Sequence, residues 1–154
     1  MQRSNSTAAA PSNKFLIILT NEAFIKHKSR WEEEQYCAQQ NNPQSRDPRA
    51  HCKAFTGVDV YELAYLWLAL TKKANIQVDL ASPWGGAVPS DPDSLARLMK
   101  DEQLLKEFGN SSDFITMVDH TFPINSIHPH EYRAAIVIGS YGAMFDLPAC
   151  STVQ

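Results

Sequence analysis

The sequence predicts an open α/β fold with a parallel sheet. Three observations carry that prediction. Short apolar runs recur at residues 15–19, 76–81 and 134–138, and helix-forming segments lie between them. Each run ends in a polar or glycine turn, at Thr20-Asn21, Ala81-Ser82 and Gly139-Ser140. In such sheets the ligand site lies beyond the carboxyl ends of the strands where their order reverses, so these three turns are the places to watch.

Residues 1–13 mix Ser, Asn, Ala and Thr around Pro11 without periodicity, and predict a disordered tail before a domain over residues 14–154. Phe15-Leu16-Ile17-Ile18-Leu19 is apolar without alternation, which suits a strand buried on both faces. Residues 21–40 are strong helix formers with Phe24, Trp31 and Tyr36 as apolar points, Asn21 as a cap and Glu32-Glu33-Glu34 as a solvated face. Residues 41–51, with Pro43 and Pro48, read as a loop, so residues 21–55 form a long insertion after the first strand.

Residues 58–70 are too long for a usual strand and predict a helix, with Thr56 near its N-cap and Lys72 and Lys73 at its carboxyl end. The segment is apolar around most of its girth, which predicts burial and makes Glu62 its odd residue. Ile76-Gln77-Val78-Asp79-Leu80-Ala81 alternates as a second strand and runs into the turn Ser82-Pro83-Trp84-Gly85-Gly86. Residues 91–108 read as one amphipathic helix through Leu95, Leu98, Met99, Leu104 and Leu105, ended by Gly109-Asn110. A connection through Pro123 and Pro129 leads to a third buried strand at residues 134–138.

Composition limits what the domain does. The 154 residues are 44% hydrophobic, enough for one core, and 14 Lys+Arg against 17 Asp+Glu give a net charge of −3. A protein that binds nucleic acid by neutralising phosphates carries the opposite excess. No apolar run approaches the roughly 20 residues of a membrane helix, and residues 1–14 lack an apolar signal core. The expectation is a soluble, cytoplasmic protein. Arg3, the serines and the absence of acid in that segment leave organelle targeting as the alternative. Cys37, Cys52 and Cys150 form neither a dense disulfide framework nor a paired metal spacing, and read as reduced thiols, with a Cys37–Cys52 pair as the alternative.

Four features invite chemistry. Glu62, a carboxylate in an apolar helix, suits a general acid or base; the plainer reading is a carboxylate held by the helix N-terminus and a surface contact. Gly139-Ser140-Tyr141-Gly142-Ala143 offers backbone amides at a turn after a strand, suited to an oxyanion hole, although an ordinary strand-to-helix turn explains the glycines equally. His128-Pro129-His130-Glu131, with His120 nearby, lacks a ligand pair at helical spacing and reads as a surface loop, so no metal is expected. Cys150 is a thiol with no evident base.

Three segments together resemble the ThiJ/PfpI family, within the class I glutamine amidotransferase-like fold. They are Thr56-Gly57-Val58-Asp59-Val60-Tyr61-Glu62-Leu63, then Val78 through Gly86 with Asp91-Pro92-Asp93-Ser94, and Tyr132 through Asp146-Leu147-Pro148. The resemblance is closest to the branch of glutathione-independent glyoxalases (glyoxalase III) and stress chaperones, and covers the N-terminal part of such a domain. It implies a flavodoxin-like three-layer sandwich, a small dicarbonyl substrate such as methylglyoxal converted to D-lactate, and no cofactor. It also implies that Glu62 is the catalytic glutamate and that Ser140, Tyr141 and Gly142 are the substrate and oxyanion turn. Ser140 and Tyr141 replace the family's glycine and histidine there, which removes a group that titrates near neutral pH.

The family's nucleophilic cysteine sits on a strand-to-helix elbow, in an Ala-Val-Cys-His-Gly-Pro type motif, a strand and a helix beyond the Asp-Leu-Pro segment. Neither that cysteine nor its histidine occurs in these 154 residues, and Cys150 falls one helix too early. The expectation is therefore a truncated domain, inactive alone. The alternative is a non-catalytic module with a chaperone-like or dimerising role, its third strand a raw edge.

Overall fold

A computed structural model of the chain describes residues 13–25, 55–108 and 112–154. Four strands form one parallel sheet in the order β3-β2-β1-β4: β1 (Lys14–Ile18), β2 (Gln77–Ser82), β3 (Phe122–Pro123) and β4 (Ala134–Val137). The helices are α1 (Val60–Leu68), α2 (Pro92–Leu98), α3 (Glu102–Phe108), α4 (Ser112–Asp119) and the single turn α5 (Ala143–Asp146). The expected α/β fold is present, and the order of strands reverses at β1, between β2 on one side and β4 on the other.

β1 holds the layers together because both of its faces are covered. Ile17 and Leu19 join Val78 and Leu80 of β2 against Leu63, Ala64, Trp67 and Leu68 of α1, with Leu104 and Phe114 from α3 and α4. Leu16 and Ile18 join Ala81 on the opposite face against Ile124, Ala143 and Leu147. Successive side chains of a strand point to opposite faces, so an unbroken apolar run is what two-sided cover requires.

Helix α1 departs from the expectation of a buried helix apolar around most of its girth. Val60, Leu63, Ala64, Trp67 and Leu68 are buried at the spacing of a single stripe, while Glu62, Tyr65 and Ala69 are exposed. Apart from Glu62 its outer face is built from tyrosines and alanine, which is why it looks apolar in sequence. Its N-cap is Asp59, whose carboxylate accepts the Glu62 amide at 2.9 Å, and not Thr56. The helix continues as a π-helical turn (Ala69–Lys73), and the chain reverses at Asn75, in the left-handed region at φ 51°.

The helix expected over residues 91–108 is two helices. Asp101 interrupts it by accepting the Leu104 amide at 2.9 Å, capping α3. The same carboxylate accepts the hydroxyls of Tyr65 at 2.8 Å and Tyr61 at 3.1 Å, tying the break to the outer face of α1. The Leu104 amide and the Tyr65 hydroxyl hold the Asp101 carboxyl below its usual range. Helix α4 and the two-residue β3 were not foreseen. The run at residues 134–138 is not a strand buried on both faces: β4 is an edge among the described residues, with Ala135 exposed and Val137 51% exposed.

Residues 21–25 are not the start of a helix. Phe24 makes an antiparallel bridge with Phe55, and their rings lie 5.3 Å apart. The expected tail at residues 1–12, the rest of the expected helix at residues 26–40, the loop at residues 41–51, Cys37 and Cys52 all lie outside the described residues. Among the described residues no helix is long and apolar enough to cross a membrane.

A polar cluster interrupts the second sheet face. Lys14 pairs with Asp79 at 2.6 Å, and the Tyr132 hydroxyl donates to the same carboxylate oxygen at 2.7 Å. Burial first, then this bond to Asp79, raises the Tyr132 pKa above its ordinary value of 10.0. The folded chain thus keeps the Tyr132 proton to higher pH than the unfolded chain. Its contribution to stability is complete below pH 10 and is lost as pH rises from there. Urea unfolding across that range should show a falling midpoint, with a shallower fall in Tyr132→Phe.

Candidate functional site

The strand reversal at β1 places the carboxyl ends of β1 and β4 side by side, and the Ser140-Tyr141-Gly142 turn follows β4 at that point. Ser140 is half-buried, Tyr141 exposed and Gly142 buried. The Ser140 hydroxyl accepts the Ala143 amide at 3.2 Å and so fastens the start of α5. Asn75 is the one non-glycine residue at positive φ among the described residues, so Ser140 keeps an ordinary backbone.

Gly142 is fixed by what surrounds it. A Cβ there would lie 2.9 Å from the Glu22 carbonyl oxygen and 3.1 Å from the Thr20 hydroxyl. Its amide donates to the buried Thr56 hydroxyl at 3.2 Å, across 86 residues of sequence. That amide is therefore committed to the protein, which leaves the Ser140 and Tyr141 amides as the turn's candidate donors to a substrate oxygen.

Two further side chains bind the carboxyl edge together. Asp146 accepts the Asn21 amide at 2.7 Å, and Asn21 in turn accepts the Trp84 amide at 2.8 Å, so one relay crosses the ends of β4, β1 and β2. The other oxygen of Asp146 is buried without a hydrogen-bond partner among the described residues. Sequence reasoning marks Thr20-Asn21 as a strand end to watch and Thr56 as near a helix N-cap, but misses the bonds that Asn21, Thr56 and Asp146 make. Asp146 drew notice only within the Asp-Leu-Pro segment, and no local pattern marks a bond made over such separations.

The segment that leads to Glu62 is held on its other side by residues 89–91. The Val58 amide donates to the Pro89 carbonyl at 2.7 Å, and the Asp91 amide to the Val58 carbonyl at 2.9 Å. A Cβ on Gly57 would meet the Pro89 oxygen at 2.4 Å, so only glycine allows this approach. Buried Ser94 accepts the Val60 amide at 3.1 Å, satisfying a donor in the first turn of α1. Asp91 caps α2 through the Ser94 amide at 2.9 Å.

A cavity of about 510 Å³ opens beside the turn. It is lined by Ser140, Tyr141 and Met144, by Ile25 and Phe55, and by Asp59, Asp91, Asp93 and Arg97. Glu62 is exposed on α1 and does not line it; Asp59, three residues earlier, does. The sequence-predicted glutamate and turn are thus linked through Thr56 and residues 57–61, with Glu62 outside the lining of this cavity.

Cys150 is half-buried against the second sheet face, beside the cluster of Leu16, Ile18 and Leu147. The His128 and His130 rings lie 5.8 Å apart on an exposed 3₁₀ turn (Pro129–Glu131). No group of three His, Cys, Asp or Glu side chains among the described residues is arranged to hold a metal ion.

The geometry defines an α/β sandwich on a parallel sheet with its candidate site at the strand reversal. No family model and no curated protein matches the sequence. Among solved structures the chain is similar to the 24 kDa rapid encystment protein of Francisella tularensis, at 19% identity and a TM-score of 0.63, over 90% of this chain and 49% of that one. It is also similar to glyoxalase III from Candida albicans, at 20% identity and a TM-score of 0.63, over 92% of this chain and 49% of that one. The chain has the flavodoxin-like α/β fold of these ThiJ/PfpI-type proteins and spans about half their length.

Gly142→Ala tests the close approach at the turn. The added methyl has to displace the Glu22 carbonyl or Thr20, and the expected loss is about 1–3 kcal/mol in chemical denaturation. Gly139→Ala, where a Cβ meets nothing within 4 Å, should cost much less in the same measurement.

Proposed function

We propose that the chain is the N-terminal portion of a ThiJ/PfpI-type domain and carries one side of a glyoxalase III-type site acting in the cytoplasm on small dicarbonyls such as methylglyoxal. The observation that carries this reading is the bond from the Gly142 amide to Thr56, which ties the Ser140-Tyr141-Gly142 turn to the segment entering α1 and Glu62. The fold shared with glyoxalase III from Candida albicans supports it.

In this chemistry a thiolate adds to the aldehyde carbon and gives a hemithioacetal. Glu62 takes the proton from that carbon and returns it to its neighbour, leaving a thioester that water cleaves to D-lactate. The Ser140 and Tyr141 amides hold the developing oxygen charge, and the Tyr141 hydroxyl faces the substrate in place of an imidazole. No cofactor enters. Cys150 sits against the second sheet face rather than at the turn. This reading takes the thiol from an elbow cysteine outside these 154 residues, which leaves the chain inactive alone.

Purified Met1–Gln154 given methylglyoxal should release no D-lactate, and Cys150→Ser should change nothing. Turnover that disappears in Cys150→Ser would overturn the exclusion of that thiol. When a segment carrying an elbow cysteine and histidine completes the domain, Glu62→Gln should lower kcat/KM by at least about 100-fold with the circular dichroism spectrum unchanged. Full activity in that variant removes Glu62 from the mechanism.

The edge of β4 favours a second, non-catalytic reading, in which the chain works as a self-associating, chaperone-like module. Ala134-Ala135-Ile136-Val137 has no charge or proline to blunt the edge, and Val137 is half exposed. Light scattering of Met1–Gln154 should then show a dimer or larger species that Val137→Lys returns to the monomer. A monomeric parent chain ends this reading.

A further inference from the structure

Large apolar side chains gather at the mouth of the cavity beside the turn. Phe55 is 65% exposed, Tyr141 67% and Met144 70%, and all three line that cavity with Ile25. Trp84, 82% exposed, stands on the neighbouring strand end, held by Asn21. Contiguous apolar surface on a folded chain usually marks a place where something binds.

The polar part of the same wall is acidic. Asp59, Asp91 and Asp93 line it together with Arg97. Arg97 is already paired with Asp59 at 2.6 Å, and its guanidinium lies 5.1 Å from the centre of the Tyr61 ring, which turns its charge toward α1. Asp91 and Asp93 have no cationic partner among the described residues. Two carboxylates without a cationic side-chain partner among the described residues therefore flank the apolar floor, in the same sense as the chain's net charge of −3.

We infer that this groove is a docking surface for a polypeptide segment of a partner chain that presents apolar side chains flanked by Lys or Arg. The volume of about 510 Å³ suits two or three side chains. Apolar residues at the centre supply the contact area, and Asp91 and Asp93 select and steer the basic flanks. A nucleic acid or an anionic membrane meets the same carboxylates and is repelled. The surface lies against the Ser140-Tyr141 turn, so a seated segment covers those amides. The inference stands without the dicarbonyl chemistry, since it needs only the groove and its charges.

The test is a titration of isotope-labelled Met1–Gln154, followed by amide resonances, with a 12-residue peptide alternating Leu and Arg. The matching Leu/Glu peptide, a Ser/Arg peptide, a DNA duplex and phosphatidylserine vesicles serve as controls. The Leu/Arg peptide should shift Asp93, Tyr141 and Met144. Asp93→Asn and Met144→Lys, both at exposed positions, should each weaken it about tenfold while leaving the denaturation midpoint in place. Comparable binding of any control at those resonances overturns the inference. So does a Leu/Arg response centred on β4 and Tyr132, or one that neither substitution changes.

Discussion

Cover on both faces of β1 is the constraint on which the rest depends. Leu16 and Ile18 face one layer, Ile17 and Leu19 the other, and the strand lies between β2 and β4. A strand so placed has no side open to solvent, and the helices on either face are positioned by the same few side chains. The strand reversal at its carboxyl end follows from that central position. So does the meeting of Thr20, Asn21, Gly142 and Asp146 within hydrogen-bonding or contact distance.

The site inherits its rigidity from backbone approaches rather than from charged pairs. Gly57 against Pro89 and Gly142 against Glu22 bring chain segments closer than any side chain would allow, and the Thr56 hydroxyl joins the two regions. The ion pair at this end, Arg97 with Asp59, lies at the rim, where solvent screening leaves such a pair little weight in stability. Its effect is on the field at the mouth of the cavity, where it leaves the carboxylates of Asp91 and Asp93 to dominate.

Much of this was legible in the sequence, and the failures have physical causes. The unbroken apolar run of β1 announced two-sided burial, and the glycine turn after β4 announced a candidate site. The exposure of Glu62 was hidden because the outer face of α1 carries Tyr61, Tyr65 and Ala69, which periodicity counts as apolar although two of them end in hydroxyls bound to Asp101. The break between α2 and α3 was hidden because the capping aspartate sits among good helix formers. The edge position of β4 depends on strand order, and the roles of Thr56, Asn21 and Asp146 depend on contacts made 63 to 125 residues away. Local pattern carries none of that information.

Those separations have a kinetic meaning. The bond between Asn21 and Asp146 spans 125 residues, and the pairing of β1 with β4 closes nearly the same loop. Closing long loops is slow, because chain entropy is lost before the contacts that repay it can form. On a ribosome β1 emerges first and can pair with β2, but its other edge waits until residues 134–137 arrive. Until then the strand on which both layers depend is half covered and sticky. Its partner on that side is the last of the described strands to arrive, so folding around β1 waits for residues 134–137 and depends on protection of that edge in the meantime.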